Sequence, residues 1–562
     1  MNVAQSIVAM LESLGVDAAF TGSGQGSGTM LFSFAESKQI RTIMTRNEQA
    51  ASFMAYGYAM ISKKLGVTNT QGGPGSFNVI SGLSMGLNGS FPMMSIASFA
   101  PKKWRGMGDL GEVSGLHRTA DSHALFSAIT KKSYVIEKAS EVCDLFEDAV
   151  NVAYGGRPGP VHISLPYDLA GLENPRHRNI ELKVAPILPR EKDVLLFAEY
   201  LAQAIRGRKK MIAWFGNGCV QSNAGAELLE FVERFQIPFL TSMDAKGVIR
   251  DNHPLSVGMP GICGDPGAKR AFREAEVVLA VGASFPKWQT WMFQRDLFDR
   301  KILMNINLDA DEVDKVYKAD FSMVSDARPA MKMLTEALAA RVTVTEKAAP
   351  EIDRHCFGTI DYAGPKVHPG QLSRLLSELL PDRAIVLGDA GSHMIWMSDF
   401  MQLNGGQSYK NPGSFGPMAS HTNAAIGFQM AAPDRRVIVG CGDGCYQMAG
   451  FELMTAVEHK IPIVWIVYNN SEFNIIKHFN LLVHGEEAMN RLPGPNFAEY
   501  ARICGANGHR VERLEQFEPA FRAALASDMP TVIDVVTDEN CLVPFKHYND
   551  PDPRDTSNPL KI

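Results

Sequence analysis

An aspartate and an asparagine stand about one helix apart, each at the end of an apolar run. Asp443 lies in the Gly-Asp-Gly of GDGCYQMAGFELMTAVEHKIPIVWIVYNN (442–470), and Asn470 is the second of the two asparagines that end this stretch. A carboxylate and an amide carbonyl are hard oxygen ligands that suit Mg²⁺ or Ca²⁺, which usually completes its shell with phosphate and water. The glycines let backbone N–H groups approach a phosphate, and the following helix offers its N-terminus. These residues predict a metal-clamped diphosphate.

Both ligands need parallel strands that end side by side. RVIVGCG (436–442) and PIVWIVY (462–468) are β-branched runs typical of buried strands, and AGFELMTAVEHK (449–460) is expected to be the crossover helix between them. In open α/β sheets, ligands bind beyond the carboxyl ends of the strands. If the two strands are neighbours, Asp443 and Asn470 meet at that edge of the sheet.

The same alternation of strands and helices recurs in three blocks along the chain. The predicted fold class is α/β, with three domains that each hold a mainly parallel sheet flanked by helices. We expect an N-terminal domain at 1–185, a central Rossmann-like domain at 186–345 and a C-terminal domain at 367–562. Residues 346–366 contain proline and glycine and have no sustained period, so they are expected to form a linker.

Composition excludes several classes of function. The chain has 562 residues, too many for one compact core, and its net charge of -6 gives no electrostatic case for a nucleic-acid partner. Apolar runs such as 462–468 are far shorter than the ~20 residues that span a bilayer, so no membrane association is expected. The N-terminus lacks the pattern of a signal peptide, and the eight scattered cysteines fit reduced thiols. We expect a cytoplasmic protein.

With its spacing, the 442–470 stretch resembles the cofactor motif of the thiamin-diphosphate-dependent enzyme superfamily, which includes acetolactate synthase, pyruvate decarboxylase and pyruvate oxidase. Four other segments resemble that superfamily in the same order along the chain: RNEQAASFMAYGYA (46–59), VTNTQGGPGSFNVISGL (67–83), GDAGSHMIW (388–396) and PGSFGPMASHTNAAIG (412–427). The chain is most similar to the acetolactate synthase large-subunit group. The resemblance implies that the N-terminal domain binds the pyrimidine of the cofactor and the C-terminal domain binds its diphosphate.

The resemblance also implies thiamin diphosphate and Mg²⁺ as cofactors and a role for each matching residue. Asp443 and Asn470 would bind the metal through their side chains, and Glu472 through its backbone carbonyl. Glu48 would hydrogen-bond the pyrimidine nitrogen and share its proton, and Met418 would hold the cofactor in its bent shape. Further cofactor contacts are expected from Pro74, Asn78, Ser392, His393, Gly416, Gly442, Gly444 and Cys445.

The predicted substrate pocket departs from the acetolactate synthase pattern at two positions. Arg118 stands where that group has an active-site glutamine; it would grip a carboxylate or phosphate, or it is a surface ion-pair partner. Phe479 stands where the group has a tryptophan, which leaves an aromatic wall. Lys477 and His478 either line the entrance of the substrate pocket or are solvated charges on a surface loop. The resemblance also implies polar substrate-facing side chains at two further positions, Gln25 and Gln71.

The leading functional expectation is a carboligase that decarboxylates a 2-oxo acid and transfers the fragment to a second carbonyl. The alternatives are a 2-oxo-acid decarboxylase and a 2-hydroxyacyl- or oxalyl-CoA lyase; a flavin-linked oxidase and a non-catalytic relative rank lower. The central stretch VGASFPKW (281–288) matches the flavin-contacting segment only loosely, so bound FAD is not expected. The resemblance further implies a homodimer or homotetramer with active sites between chains.

Overall fold

Three six-stranded sheets build the protein, one in each part of the chain. The computed structural model describes residues 1–354 and 360–543. The strand pairs that join each sheet are parallel throughout these residues, and helices cover the sheets. The predicted α/β class with three sheets is confirmed.

The N-terminal sheet has the order β2-β1-β3-β4-β6-β5. Its strands are Ala18–Thr21 (β1), Arg41–Met44 (β2), Gly66–Gln71 (β3), Met93–Phe99 (β4), Lys132–Val135 (β5) and Pro160–Pro166 (β6). Its helices are Val3–Ser13 (α1), Gly28–Glu36 (α2), Glu48–Ser62 (α3), Pro74–Asn78 (α4), Ile80–Gly89 (α5), Ser122–Ile129 (α6), Val142–Tyr154 (α7) and Tyr167–Ala170 (α8). The Asn47 side chain caps α3 by accepting from Gln49 N, which places Glu48 in the first turn.

The central sheet has the order β12-β11-β10-β7-β8-β9, so the strand order reverses between β7 and β10. Its strands are Met211–Phe215 (β7), Phe239–Thr241 (β8), Ser256–Gly258 (β9), Val277–Val281 (β10), Ile302–Asn307 (β11) and Phe321–Val324 (β12). Its helices are Glu191–Arg206 (α9), Asn217–Gln221 (α10), Gly225–Phe235 (α11), Pro266–Glu274 (α12), Ala310–Val313 (α13) and Ala327–Ala339 (α14). Such a reversal opens a crevice at the carboxyl ends of the strands.

The C-terminal sheet has the order β14-β13-β15-β16-β18-β17. Its strands are Ile385–Gly388 (β13), Ser408–Lys410 (β14), Val437–Gly442 (β15), Val464–Asn469 (β16), Asn507–Val511 (β17) and Thr531–Val536 (β18). Its helices are Pro369–Leu379 (α15), Ser392–Phe400 (α16), Ser420–Ala431 (α17), Asp443–Ala449 (α18), Glu452–Glu458 (α19), Asn474–His484 (α20), Phe497–Ile503 (α21) and Phe517–Ala526 (α22).

The crossover between β15 and β16 differs from its prediction. One helix was expected over 449–460, but the structure has two, α18 and α19, and the first begins at Asp443 itself. The break falls at Gly450 and Phe451, which separate the two helices. Glycine weakens a helix interior, so the chain turns there. The strands β15 and β16 are nevertheless hydrogen-bonded neighbours, as the sequence predicted.

The first and third sheets share one hydrophobic core. Helix α3 packs against helix α17 through glycines on both sides. A Cβ atom at Gly427 would lie 1.9 Å from the carbonyl oxygen of Met54, and one at Gly57 would lie 2.6 Å from a ring carbon of Phe428. The same core joins residues of α3 to buried residues of β13, β15 and β16. The N-terminal and C-terminal sheets are therefore packed as one unit through these helices.

The predicted linker and domain limits remain expectations. Residues 346–354 and 360–366 contain no helix or strand, and residues 355–359 of the predicted linker lie outside the described part of the chain. No helix within the described residues has the length and apolar character needed to cross a bilayer.

Candidate active site

A cavity of about 1360 Å³ opens at the carboxyl ends of β15 and β16. Asp443 and Asn470, which follow these two strands, both line it, together with Gly444 and Glu472. The residues that the sequence singled out as metal ligands therefore lie on one wall, as expected for neighbouring parallel strands.

Asp443 is a buried carboxylate that is 3% exposed. Its Oδ1 accepts from the backbone N–H of Gly444 at 2.8 Å, and its Oδ2 accepts from the N–H of Ser471. Burial raises the pKa of Asp443 to about 7, although backbone N–H groups around it act in the opposite direction. A bound cation would stabilise the ionised carboxylate here, so the donor chemistry of this wall fits Mg²⁺.

The two adjacent asparagines have different surroundings. The Nδ2 of Asn469 donates to Oδ1 of Asp534 at 2.9 Å, so this side chain is used inside the sheet. Asn470 instead lines the cavity, and its Oδ1 accepts from Glu472 N at 3.2 Å. Ser471, which lies between Asn470 and Glu472, has a φ of 59°, a left-handed conformation that turns the chain sharply. This turn brings Asn470 and Glu472 to the same edge of the cavity.

Gly444 has no room for a side chain. A Cβ atom there would lie 2.7 Å from Cε1 of Phe473 and 3.1 Å from Cε of Met418. Met418 is half-buried and lines the cavity with Gly416, whose φ is 61°. Glycine at position 444 therefore avoids a clash with these two side chains, and Gly442 and Gly444 both line the cavity.

The segment after β13 forms the neighbouring wall. Ser392 and His393 begin α16 and line the cavity, as their predicted contact with a diphosphate requires. Burial lowers the pKa of His393 to about 3, and its Nε2 is a buried atom without a hydrogen-bond partner among the described residues. The Cys445 thiol donates to the carbonyl of Ala390 at 3.1 Å, which ties this segment to the Gly-Asp-Gly turn.

Asp389 holds the same segment from behind, a role that its sequence position does not indicate. Its carboxylate is fully buried and accepts from the backbone N–H of Thr422 at 2.9 Å and from its hydroxyl at 2.6 Å. Burial raises the pKa of Asp389 despite these donors. The contact links the diphosphate wall to the first turn of α17, shortly after Met418.

Glu48 lies outside the cavity that Asp443 and Asn470 line. It is half-buried, its Oε2 accepts from the Asn78 amide at 2.9 Å, and it is absent from the residues that line the cavity. Two glycines crowd it, because a Cβ at Gly22 would lie 2.4 Å from its Cγ and one at Gly75 would lie 3.2 Å from its Oε1. Its position is set by the preceding residues, whose backbone N–H groups donate to Glu452 at the start of α19.

The other predicted residues of the N-terminal domain gather around Glu48. The Oε1 of Gln71 accepts from Gly26 N, next to the exposed Gln25, and Pro74 begins the short helix α4 that ends at Asn78. Arg118 is exposed, and its φ of 70° lies in the left-handed region. Its loop packs on this group, because Gly111 lies against Gly73. Like Glu48, these residues do not line the cavity of the same chain.

The predicted substrate residues after Asn470 are placed differently from expectation. Lys477, His478 and Phe479 do not line the cavity; the first turn of α20 lines it instead, through Phe473, Asn474, Ile475 and Ile476. Contacts outside the cavity explain the difference, because Lys477 is bonded to Glu472 and Phe479 belongs to an apolar cluster. Phe479 packs in an apolar cluster against Trp288, with ring centroids 6.5 Å apart.

Lys477 is held in a buried network rather than at an entrance. Its Nζ donates to Glu472 Oε1 at 3.0 Å and lies 3.3 Å from Glu487. The other Glu472 oxygen accepts from Asn490 Nδ2 at 2.8 Å, and both Lys477 and Glu472 are 7% exposed. This network fixes the turn that carries the Glu472 carbonyl, and Asn490 was not singled out by its sequence position.

Comparison with protein families agrees with this arrangement along the chain. Three models of the thiamine pyrophosphate enzymes match in order: the N-terminal TPP binding domain at 1–124, the central domain at 198–334 and the C-terminal TPP binding domain at 389–535. Each match covers strands of a different one of the three sheets.

Similar curated proteins cover nearly the whole chain. A probable acetolactate synthase large subunit of Methanococcus aeolicus is 27% identical over 96% of this chain and 92% of its own length. An acetolactate synthase large subunit of Corynebacterium glutamicum is 27% identical over 97% of this chain and 88% of its own length. Among solved structures, a thiamine diphosphate-dependent 4-hydroxybenzoylformate decarboxylase of Rhodococcus jostii RHA1 has a TM-score of 0.84 at 24% identity, covering 96% of this chain and 100% of that chain. That likeness supports the fold.

Proposed function

Because the chain belongs to the family of thiamine pyrophosphate enzymes, we propose that it is a carboligase that uses thiamin diphosphate and Mg²⁺. It decarboxylates a 2-oxo acid and transfers the resulting fragment to a second carbonyl compound. The observation that carries the cofactor assignment is the pairing of Asp443 and Asn470 at the ends of adjacent strands, on one wall of a cavity. The relatives named acetolactate synthases support the choice of carboligation.

The C-terminal domain would hold the charged end of the cofactor. The side chains of Asp443 and Asn470 and the carbonyl of Glu472 would hold Mg²⁺, which would supply positive charge to balance the diphosphate. The remaining contacts to the diphosphate come from Gly442, Gly444, Cys445, Ser392 and His393, all of which line the cavity. Bound thiamin diphosphate supplies a nucleophilic thiazolium carbon and an electron sink for decarboxylation.

Glu48 would act at the pyrimidine end. It hydrogen-bonds a ring nitrogen and moves a proton to and from that atom, supported by the amide of Asn78 on its other oxygen. Met418 supports the cofactor from the Gly444 side and keeps the two rings close, and Gly416 accepts through its backbone carbonyl. Arg118, Gln25 and Gln71, from the same domain as Glu48, would contact the reacting carbonyl compounds.

We further propose that each active site is shared by two chains of a homodimer or homotetramer. Glu48 and its neighbours are absent from the cavity that Asp443 lines in the same chain, so a second chain would have to supply them. Large apolar side chains near the cofactor wall support a covering partner: Met448 is 62% exposed and Phe451 is 66% exposed. We also propose a cytoplasmic location, because the seven described cysteines are free thiols.

Product analysis distinguishes the proposed carboligase from a simple decarboxylase. The purified protein is incubated with a panel of 2-oxo acids, alone and with aldehydes or a second 2-oxo acid, and the products are identified by mass. A product with a new carbon–carbon bond supports the carboligase. An aldehyde and CO₂ alone would make the decarboxylase the correct function. A requirement for coenzyme A would indicate a lyase, and flavin absorbance in the pure protein would contradict the expectation that FAD is not used.

A further inference from the structure

The cavity continues well beyond the predicted cofactor wall. It extends across the carboxyl ends of the central strands, where Gly216 follows β7, Gly282 follows β10 and Ser325 follows β12. Its volume of about 1360 Å³ exceeds the roughly 300–1,000 Å³ of a usual small-molecule site. Space for a second ligand therefore remains after one cofactor is bound.

Two lysines from different domains face this additional space. Lys410 ends β14 in the C-terminal domain, is 7% exposed and lines the cavity. Within residues 1–354 and 360–543, no hydrogen bond or ion pair of its side chain is found. Lys63 lines the same cavity from the end of α3, and its Nζ donates only a long hydrogen bond to Gln221 Oε1, at 3.4 Å.

The backbone at Lys63 has a left-handed conformation. This residue forms the C-terminal cap of α3 with a φ of 61°. Glycine is the usual residue at such a position, because a side chain there is strained. Lysine is tolerated at this position, so a change to glycine there should not disturb the end of α3.

The charges near Lys410 do not balance it. Burial and the neighbouring charge of Lys63 lower the pKa of Lys410 to about 8, while Asp244 acts in the opposite direction. Burial raises the pKa of Asp244, while a hydrogen bond from Asn411 and the charge of Lys410 act in the opposite direction. A buried ammonium without an ion pair is costly, and a bound anion would remove that cost.

Three other cations on the cavity wall already have partners. Arg157 and Lys315 both form ion pairs with Glu312, at 2.8 and 2.5 Å. Lys131 donates to the backbone carbonyls of Gly155 and Arg157. The lysines at 63 and 410 differ from these by lacking an anionic partner among the described residues.

We propose that Lys63 and Lys410 form a binding subsite for a carboxylate or phosphate group of a second ligand. The ligand occupies the part of the cavity between the C-terminal and central domains, beside Asp244. Lysine suits this task because its compact charge binds an oxyanion without a fixed geometry. The subsite stands on the cavity and the two amines and does not depend on which reaction the enzyme performs.

Competitive labelling tests the subsite at the level of single lysines. The protein, with saturating thiamin diphosphate and Mg²⁺ to fill the cofactor wall, is methylated briefly with formaldehyde and cyanoborohydride at constant ionic strength. Labelling of each lysine is then measured by peptide mass with and without inorganic phosphate or acetate. Lys287 is the control, because it is an exposed lysine on the same cavity wall. At an anion concentration about ten times its Kd, labelling of Lys63 and Lys410 should slow about tenfold.

Two variants test whether both lysines are needed for the protection by the anion. Lys63→Gly places the favoured residue at the left-handed position, so it should fold well and abolish protection of Lys410 by the anion. Lys410→Met should abolish protection of Lys63. Protection by phosphate alone or acetate alone would each support the subsite and identify its ligand group. Equal slowing at all three lysines, or no slowing at 63 and 410, would overturn it and leave Lys410 as a structural counter-charge to Asp244.

Discussion

The two ends of the proposed cofactor site are built very differently within one chain. Asp443 is 3% exposed on the wall of a cavity and is surrounded by backbone donors from neighbouring strand ends. Glu48 is half-buried, is crowded by Gly22 and Gly75, and does not line that cavity. The proposed diphosphate ligands thus line one cavity of a single chain, whereas the proposed pyrimidine contact Glu48 does not line it.

This difference indicates that one region anchors the cofactor and the other transfers the proton. Oxygen ligands and backbone N–H groups that anchor a charged diphosphate act through fixed geometry, so they belong on adjacent strands of one sheet. A proton-transfer group must meet the cofactor from the other side, and a second chain can deliver it. Substitutions at the two ends should therefore change different measured quantities.

The largest effect on cofactor affinity is expected from Asp443→Ala. Loss of this carboxylate removes a metal ligand, and even outer-shell partners of a metal typically change affinity about 10–100-fold. We expect cofactor affinity to fall by at least about 100-fold while the far-ultraviolet circular dichroism is unchanged. Asp528→Ala, at an exposed carboxylate of the same domain, is the control. Retention of thiamin diphosphate and Mg²⁺ by the Asp443 variant after desalting would show that the ligand assignment is wrong.

Glu48→Gln should instead damage the chemical step. The amide keeps the size and a hydrogen bond but cannot share the proton, and loss of one positioned acid–base group costs about 10²–10⁴-fold in rate. We expect kcat to fall by that factor, with cofactor affinity weakened far less than in Asp443→Ala. Exchange of the thiazolium proton for deuterium should slow in parallel. Exchange of the thiazolium proton at the wild-type rate would contradict the proposed role of Glu48.

Lys477→Met tests the buried support of the metal-binding turn. Removing this ammonium leaves the 7% exposed Glu472 carboxylate without its cation, and breaking a buried pair costs about 3–5 kcal/mol. We expect the free energy of unfolding in urea to fall by that amount and the affinity for Mg²⁺ to weaken. The double variant Lys477→Met with Glu472→Gln should recover much of the stability. A single variant as stable as the wild type would contradict the structural role of the network.

Gly444→Ala should give the smallest of these effects. A methyl group at this position meets Phe473 and Met418 at 2.7 and 3.1 Å, and overpacking of this kind costs about 1–3 kcal/mol. Cofactor affinity should therefore fall about 5–150-fold, measured by titration of the apoprotein. Gly28→Ala is a matched control, because a Cβ there meets nothing within 4 Å. Equal affinities for the two variants would show that the turn can relax.

Sequence reasoning was strongest where one contiguous stretch contains the whole signal. The strand, turn, helix and second strand around Asp443 and Asn470 place both residues at one sheet edge, and the structure has these strands as neighbours. It was weaker after Asn470, where Ile475 and Ile476 line the cavity instead of Lys477 and Phe479. The orientation of α20 depends on Glu472, Asn490 and an apolar cluster from the central domain, and short-range patterns do not contain these contacts.

The common location of Lys63 and Lys410 was equally hidden, since these residues are far apart in sequence and line one cavity only after the domains have packed. Asp389 is hidden for a related reason, because its partner Thr422 belongs to another helix. Buried polar networks of this kind are set by tertiary packing, and periodicity reports only which face of an element is apolar.

Activity of a hybrid dimer tests the shared site most directly. Chains with Asp443→Ala and chains with Glu48→Gln, each inactive alone, are co-expressed with different affinity tags, and the hybrid is purified through both tags. If sites lie between chains, one of the two sites in the hybrid combines an intact Glu48 with an intact Asp443. The hybrid should then show about half of the wild-type activity per dimer. Activity no higher than that of the two parent variants would contradict the account and place each complete site within a single chain.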